Sequence, residues 1–486
     1  MQISVSKTGP VEWWLLVAGG LCLGLFVTAV SIYFPSTIMP GLEKQVIPSL
    51  VIFALLVGFL IVLKPEAGVI LMFAMLLFKP ESLQGLGVVT ILKVALGALF
   101  LTTVALRKEL SFLKVSQVQI LFLLALVSFF NWMLLGQVEA PSYLSDLDTS
   151  GRSLERAVNH LAFLLFFVAF IRTPRQLLLL IGLFLFAMFL TLPGAISHST
   201  EEVRAAEKLR AVATAGIQAA ENANRLAFLS LMGIALIWFA LLEYKKKLLW
   251  IFGAPAILAL VLTVFLSASR SGLVNLGLLP LLLLAQSGLR KGKLAAIALL
   301  LVLAVSVTLL FVPERIFQRI TSFSLTSESA HVSGATLSLQ RRVQILQTGL
   351  KFFGEHPFMG VGVGNFRWMT AMDSTFGGLS GAAHNAYLLA LAEGGMILLL
   401  VYLLLFWRTY KDLGKALKRA ALAPDVRLRW LVLATRTNLV LLLVFSLFAE
   451  AWKEFYYVLI LGTAAVLTQL YQRAVEKSWS QRRSST

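Results

Sequence analysis

Residues 248–286 read "LLWIFGAPAILALVLTVFLSASRSGLVNLGLLPLLLLAQ". Two apolar runs, 248–266 and 271–286, flank a short polar turn, and in neither run do the apolar residues keep to one helical face. The stretch 276–284, "LGLLPLLLL", is apolar all round. A helix of that kind has no polar side to turn towards water. It belongs in hydrocarbon, where a helix pairs its backbone polar groups within the segment. Working outward in both directions, comparable runs recur near 11–34, 46–63, 67–78, 85–106, 118–135, 157–171, 175–193, 225–243, 294–312, 384–406, 430–449 and 455–471. Three of the runs, 67–78, 157–171 and 271–286, fall short of the ~20 residues that cross a bilayer. The 486-residue chain is 58% hydrophobic and 14% charged, with a mean hydropathy of +0.85. These values exclude a soluble globular fold and predict an all-α polytopic membrane protein with about 12–14 transmembrane helices.

The net charge of +18 does not point to nucleic acid, because the basic residues collect in short connections and no basic stripe is interleaved with aromatics. "RKELSFLK" (107–114), "RTPR" (172–175), "YKKK" (244–247), "LRKGK" (289–293), the stretch from Arg408 to Arg429 and the tail after Gln472 occur at every second connection. The bias of short basic loops towards the cytoplasm then sets the orientation. Both termini are expected inside, and the connections 35–45, 79–84, 136–156, 194–224, 267–270, 313–383 and 450–454 outside. The single cysteine, Cys22, lies in the first apolar run and excludes an intrachain disulfide. That run is long and lacks a clear small-residue cleavage site, so it reads as a retained anchor. Four regions follow: N-terminal transmembrane helices (1–193), central ones with an outer loop at 194–224 (194–312), a large outer loop (313–383), and C-terminal helices with a cytoplasmic tail (384–486).

The 313–383 loop is too long for a simple connector and too patterned for a disordered linker. Within it, "SLQRRVQILQTGLKFFGEHP" predicts a helix capped by Ser338, ending before Pro357, with Val343, Leu346, Leu350 and Phe353 on one face. "GVGVGNF" (360–366) follows as a glycine turn. It lacks the lysine and the strand and helix context of a nucleotide site, and reads either as a plain turn or as a set of backbone donors to a phosphate.

The histidines, at 160, 198, 331, 356 and 384, show no metal-ligand spacing. Arginines are the remaining chemistry on the outer side. Arg270 lies in the turn between two spans, Arg341 and Arg342 open the loop helix, and Arg204, Arg210 and Arg225 belong to or border the other long outer loop. Any one of them can pair with lipid phosphate. Their gathering on the face that topology disfavours calls for another reason, and planar guanidinium groups suit a diphosphate. His384 sits at the outer start of a span, where it reads as a plain helix-start residue or as a general base beside that cluster. His356, followed by Pro357, reads as a turn residue.

Four segments, "ENANRLAFL" (221–229), "LSASRSGL" (266–273), "RVQILQTGLKFFGEHPFMGVGVGNF" (342–366) and "HNAYLLALAEGG" (384–395), taken in this order, resemble the bacterial O-antigen ligases and O-antigen polymerases. The resemblance covers the last half of the chain. It implies a membrane glycosyltransferase of the bacterial inner membrane with a periplasmic site. Such an enzyme moves a glycan from undecaprenyl diphosphate to an acceptor sugar hydroxyl, such as that of lipid A-core, with inversion and without metal, cofactor or nucleic acid. It further implies that His384 is the base and that Arg270 and Arg342 hold the diphosphate, with Arg341, Arg210, Asn385 and Asn224 as further substrate-binding residues. A polymerase that uses the same donor is the alternative. A lipid or solute transporter is the reading from another class. It would require ionisable residues deep in the spans, and only Lys93 and Arg436 look placed there.

Overall fold

The computed structural model of the chain describes residues 64–78, 93, 96–101, 104, 111–136, 150–200, 222–287, 330–372, 381–423 and 426–484. The predicted spans 11–34, 46–63 and 294–312, most of 85–106, and the residues Cys22, Arg204 and Arg210 lie outside them.

Among the described residues the regular elements are all helical. They are α1 (Pro65–Phe78), α2 (Ser116–Leu135), α3 (Ser150–Phe170), α4 (Pro174–Thr200), α5 (Ala223–Tyr244), α6 (Lys247–Leu266), α7 (Arg270–Ser287), α8 (Ala330–Glu355), α9 (Phe366–Met372), α10 (Ala386–Ala420), α11 (Arg429–Phe445) and α12 (Phe455–Ser484). Seven of these are long and apolar enough to cross a membrane: α2 to α6, α10 and α12. The chain is therefore a polytopic all-α membrane protein. The opening stretch folds as read, with α6 and α7 joined by a tight turn.

Several helices outrun the apolar segments that announce them. α3 begins at Ser150, with two polar turns ahead of its apolar run, so a segment that looked too short is a full span. α4 continues to Thr200, past the expected outer boundary at 194. α10 runs 35 residues with a break at Gly395, and its unbroken part, 396–420, is roughly 38 Å at 1.5 Å per residue, still longer than a hydrocarbon core of ~30 Å. Its last turns carry Lys415, Lys418 and Arg419, which a helix emerging into water can expose.

The helices pack as two groups. α5 lies against α6, α7 and α11, while α10 lies against α2 and α12, and α3 packs on both α2 and α12. α11 touches α10 and α12 and so joins the groups, and α8 rests on α10. Aromatic rings fill the seam: Phe228 of α5 stacks on Phe445 of α11 at 4.6 Å between centroids and approaches Tyr456 of α12 at 5.0 Å. The two residues deep in the spans find partners inside the protein. Lys93 Nζ donates to Asn159 Oδ1 at 3.2 Å, and the Arg436 guanidinium lies 4.4 Å over the Tyr410 ring.

Two expectations for the loop helix need correction. α8 begins at Ala330, so Ser338 lies within it and does not cap its start. Its buried face is Ile345, Gly349 and Phe352, whereas Val343, Leu346 and Leu350 are 47%, 43% and 50% exposed. In a membrane protein an apolar stripe can face lipid as readily as a core, and the stripe on α8 faces away from the protein. The helix does end before Pro357, at Glu355.

Candidate functional site

The site is assembled at one end of the bundle, where α5, α7, α10 and α12 begin and α6 and α11 finish. The turn between α6 and α7 is built from short hydroxyl side chains. Ala268 adopts a left-handed φ of +48°, held by Ser267 Oγ, which donates to the Val264 carbonyl at 2.6 Å. Ser269 caps α7: its buried Oγ accepts from Gly272 N at 3.1 Å and donates to Asn224 Oδ1 at 2.7 Å. This places Arg270 on the first residue of α7, at the positive end of the helix, and ties it to the first turn of α5. Asn224 is thus engaged on both sides, because its backbone N–H also donates to the capping Asn222 Oδ1 at 2.8 Å.

α8 brings the second guanidinium. Arg342 is partly buried, while its neighbour Arg341 is exposed. Burial, and then the like charge of Arg270, both hold Arg342 below the usual arginine value. The two guanidinium groups are therefore close enough to repel, in a setting that screens them poorly. α8 is fixed by its contact with α10, where Gly349 packs on the side chain of Leu388, one turn beyond His384.

His384 is exposed and takes a left-handed φ of +48°. The next residue explains the bend: Asn385 caps α10, its Oδ1 accepting from Tyr387 N at 2.9 Å and Leu388 N at 3.0 Å. Ala386 N donates to the Ser446 carbonyl at 2.8 Å and pins the start of α10 to the end of α11. Asn385 therefore has a structural duty that orients the histidine before it.

Around His384 lies a charged cluster whose members the sequence reading passed over. Glu450 Oε2 pairs with Lys453 Nζ at 2.6 Å. Burial alone would push the Glu450 carboxyl up, but Lys453, Arg367 and His384 together hold it below the usual carboxylate value. Next to it, Arg225 Nη2 meets Glu454 Oε1 at 2.6 Å. Burial keeps the Glu454 carboxyl above its usual value even so. Arg225, counted among the outer arginines, is thus already matched by a carboxylate. A continuous polar rim results, running from Arg342 and Arg270 through Ser269 and Asn224 to the Arg225–Glu454 pair and on to Glu450 and His384. Arg210 lies outside the described residues.

The glycine turn does not cradle a phosphate. Gly395 breaks α10 with φ +64° and ψ −162°, freeing backbone groups that a buried helix must satisfy elsewhere. The turn supplies the partners: Val361 N donates to Ala392 O at 2.8 Å, Gly362 N to Glu393 O at 3.0 Å, and Met396 N to Pro357 O at 2.8 Å. Val363 N donates to Asn131 Oδ1 at 2.6 Å and Phe366 N to Glu393 Oε1 at 3.4 Å. These amides point at protein acceptors, so of the two readings of "GVGVGNF" the structural one holds. Glu393, Glu450 and Asn131 could have been suspected from the sequence as polar residues inside or at the edge of apolar runs. Nothing in their spacing, however, said which partner each would meet.

Fold and site together define an all-α polytopic membrane protein with arginine, histidine and carboxylate groups gathered at one end of its helices. Residues 255–403 match the family model described as O-antigen ligase. This match runs from the middle of α6 to the middle of α10, about a third of the chain, and includes Arg270, Arg342 and His384; over that stretch the chain is similar to the O-antigen ligases. No curated protein matches the chain.

Proposed function

We propose that the chain is an O-antigen ligase-like glycosyltransferase of the bacterial inner membrane, transferring a glycan from undecaprenyl diphosphate to a sugar hydroxyl of lipid A-core on the periplasmic side. The observation that carries this reading is the Arg270–Arg342 pair at the same bundle end as His384. Two like charges in each other's field, next to the first residues of α7, favour the approach of an anion. A diphosphate brings the opposite charge and offers oxygens that guanidinium forks can hold.

In this mechanism Arg270 and Arg342 bind the diphosphate and stabilise it as the anomeric C–O bond breaks and negative charge grows on the leaving oxygen. The His384 imidazole takes the proton of the acceptor hydroxyl as that oxygen bonds to the anomeric carbon from the opposite face, which inverts the centre. Glu450 steadies the imidazolium that forms. No carboxylate pair of the glycosidase type is needed, because a diphosphate already leaves readily. Arg341, exposed beside Arg342, and Arg210 are secondary contacts to the donor.

The test is to incubate the purified protein with undecaprenyl diphosphate-linked glycan and lipid A-core. Product from the wild type and none from His384→Ala supports the reading, while equal product from both sinks it. If glycan passes only to a second lipid-linked repeat, the same site serves a polymerase.

A further inference from the structure

Arg436 lies about two turns into α11 and takes no part in the proposed reaction. Between Trp430 and the end of α11, the positions that are not fully buried are Arg436, Val440, Leu443 and Val444. Spacings of four, three and one residues put them on a single helical face, and the other three members of that face are aliphatic. In a membrane-spanning helix such a face borders lipid. An arginine on it is costly unless something answers its charge.

The partner that folding brings to it is a ring. Its guanidinium lies over Tyr410 of α10, and its Nε is buried without a hydrogen-bond acceptor. Next to Tyr410, Lys411 repeats the arrangement, its Nζ standing 3.8 Å from the centroid of the Trp407 ring. Rings attract cations but carry no countercharge. Tyr410 and Trp407 are 41% and 52% exposed and directly continue the exposed line of Leu400, Leu403 and Leu404, so the two cations flank a groove that faces lipid. α11 contains no acid. On α10 beyond Gly395 the one acid is Asp412, which is buried towards Ser116 of α2 and already meets Lys415 at 3.1 Å and Arg408 at 3.8 Å. Among the described residues, then, Arg436 and Lys411 have aromatic partners and no carboxylate.

We infer that the groove between α10 and α11 holds the headgroup phosphate of an anionic phospholipid, in the leaflet at the end of the bundle away from His384. Arg436 and Lys411 supply the charge, and Tyr410 and Trp407 supply the amphipathic rings that sit at headgroup level. The long arginine side chain reaches from an aliphatic face to that level. A lipid suits this surface better than a dissolved anion, because its acyl chains cover the leucines and valines that continue the groove while its phosphate meets the cations. The inference stands apart from the transferase reading.

The probe is dioleoyl phosphatidylglycerol, titrated into the purified full-length protein in detergent at constant total lipid, with dioleoyl phosphatidylcholine as the balance and the thermal midpoint as the signal. The wild type is expected to show saturable stabilisation. Arg436→Gln and Lys411→Gln are each expected to raise the half-saturating mole fraction about fivefold, the factor that one cation near an anionic surface contributes. Lys477→Gln removes one exposed charge from the last turns of α12 at the same end of the bundle and should keep the wild-type curve. Should Arg436→Gln not fold, Lys411→Gln decides, because its side chain is exposed. No saturable effect in the wild type, or an unshifted curve in Arg436→Gln and Lys411→Gln, overturns the site. An equal shift in Lys477→Gln also overturns it, since net charge alone then accounts for the effect. In the second arm inorganic phosphate replaces the lipid at constant ionic strength and should have no saturable effect. Saturation by phosphate that is weakened in Arg436→Gln would overturn the lipid as the ligand.

Discussion

Arg342 on α8 lies in the electric field of Arg270 at the first turn of α7, so that burial and this like charge together lower the hold of Arg342 on its proton. A pair of this sign repels, and an anion bound beside both relieves that repulsion. Arg342→Gln and Arg270→Gln should therefore leave the thermal midpoint of the unliganded protein unchanged or raised. In the same scan, pyrophosphate should stabilise the wild type and neither variant. Transfer from the lipid diphosphate should fall by about 10²–10³ in either variant, the usual loss for one donor to a developing oxyanion. A marked drop in the midpoint of the empty variants would show that the arginines are structural.

His384 separates chemistry from stability in an unusual way. Its φ of +48° is a conformation that glycine adopts without strain and that costs other residues about 1–2 kcal/mol. His384→Gly should thus fold as well as the wild type while its transfer rate drops by about 10²–10⁴, the span attributed to a general base. Added imidazole should restore part of the rate. Retention of most of the activity in His384→Gly would remove the histidine from the mechanism.

Asn385, the next residue, should behave in the opposite manner. Replacing it with alanine removes the acceptor for Tyr387 N and Leu388 N and should lower stability by about 1 kcal/mol, as the loss of an N-cap does. Asn385→Asp keeps the cap and should keep the midpoint. A direct role in substrate contact would appear as a KM change in Asn385→Asp, a variant in which the fold is intact.

How much of this was legible in the chain varies with the kind of residue. The spans predicted at 225–243, 248–266 and 271–286 correspond to α5, α6 and α7 within two residues at each end, because lysines and serines mark where hydrocarbon stops. The loop helix ended where Pro357 required. Its buried face was not legible, since Val343, Leu346 and Leu350 form an apolar stripe whether it meets protein or lipid. The break at Gly395 was hidden because "EGG" sits inside an apolar run, and the segment that repairs it, 357–363, is supplied from a separate element. Arg270, Arg342 and His384 stood out by residue type. Glu450, Arg367 and Lys453 did not, because their meaning is the partner that folding brings to each.

The repair at Gly395 leads to a prediction about the fold itself. A β-carbon there would overlap the Phe358 carbonyl, and one at Gly360 would overlap the Ala392 carbonyl, both backbone atoms with no rotamer to yield. Both glycines also have φ of +64°. Gly395→Ala and Gly360→Ala should each separate the turn from α10 and destabilise the protein by more than the ~1 kcal/mol of the left-handed conformation alone. The measurement is the thermal midpoint together with limited proteolysis of the 357–366 segment, which should become cleavable in both variants. Gly354→Ala, where a β-carbon would meet nothing within 4 Å, is the control and should leave both unchanged. If Gly395→Ala is as stable and as resistant as this control, the docking of the turn onto the broken helix does not hold α8 and Arg342 in place.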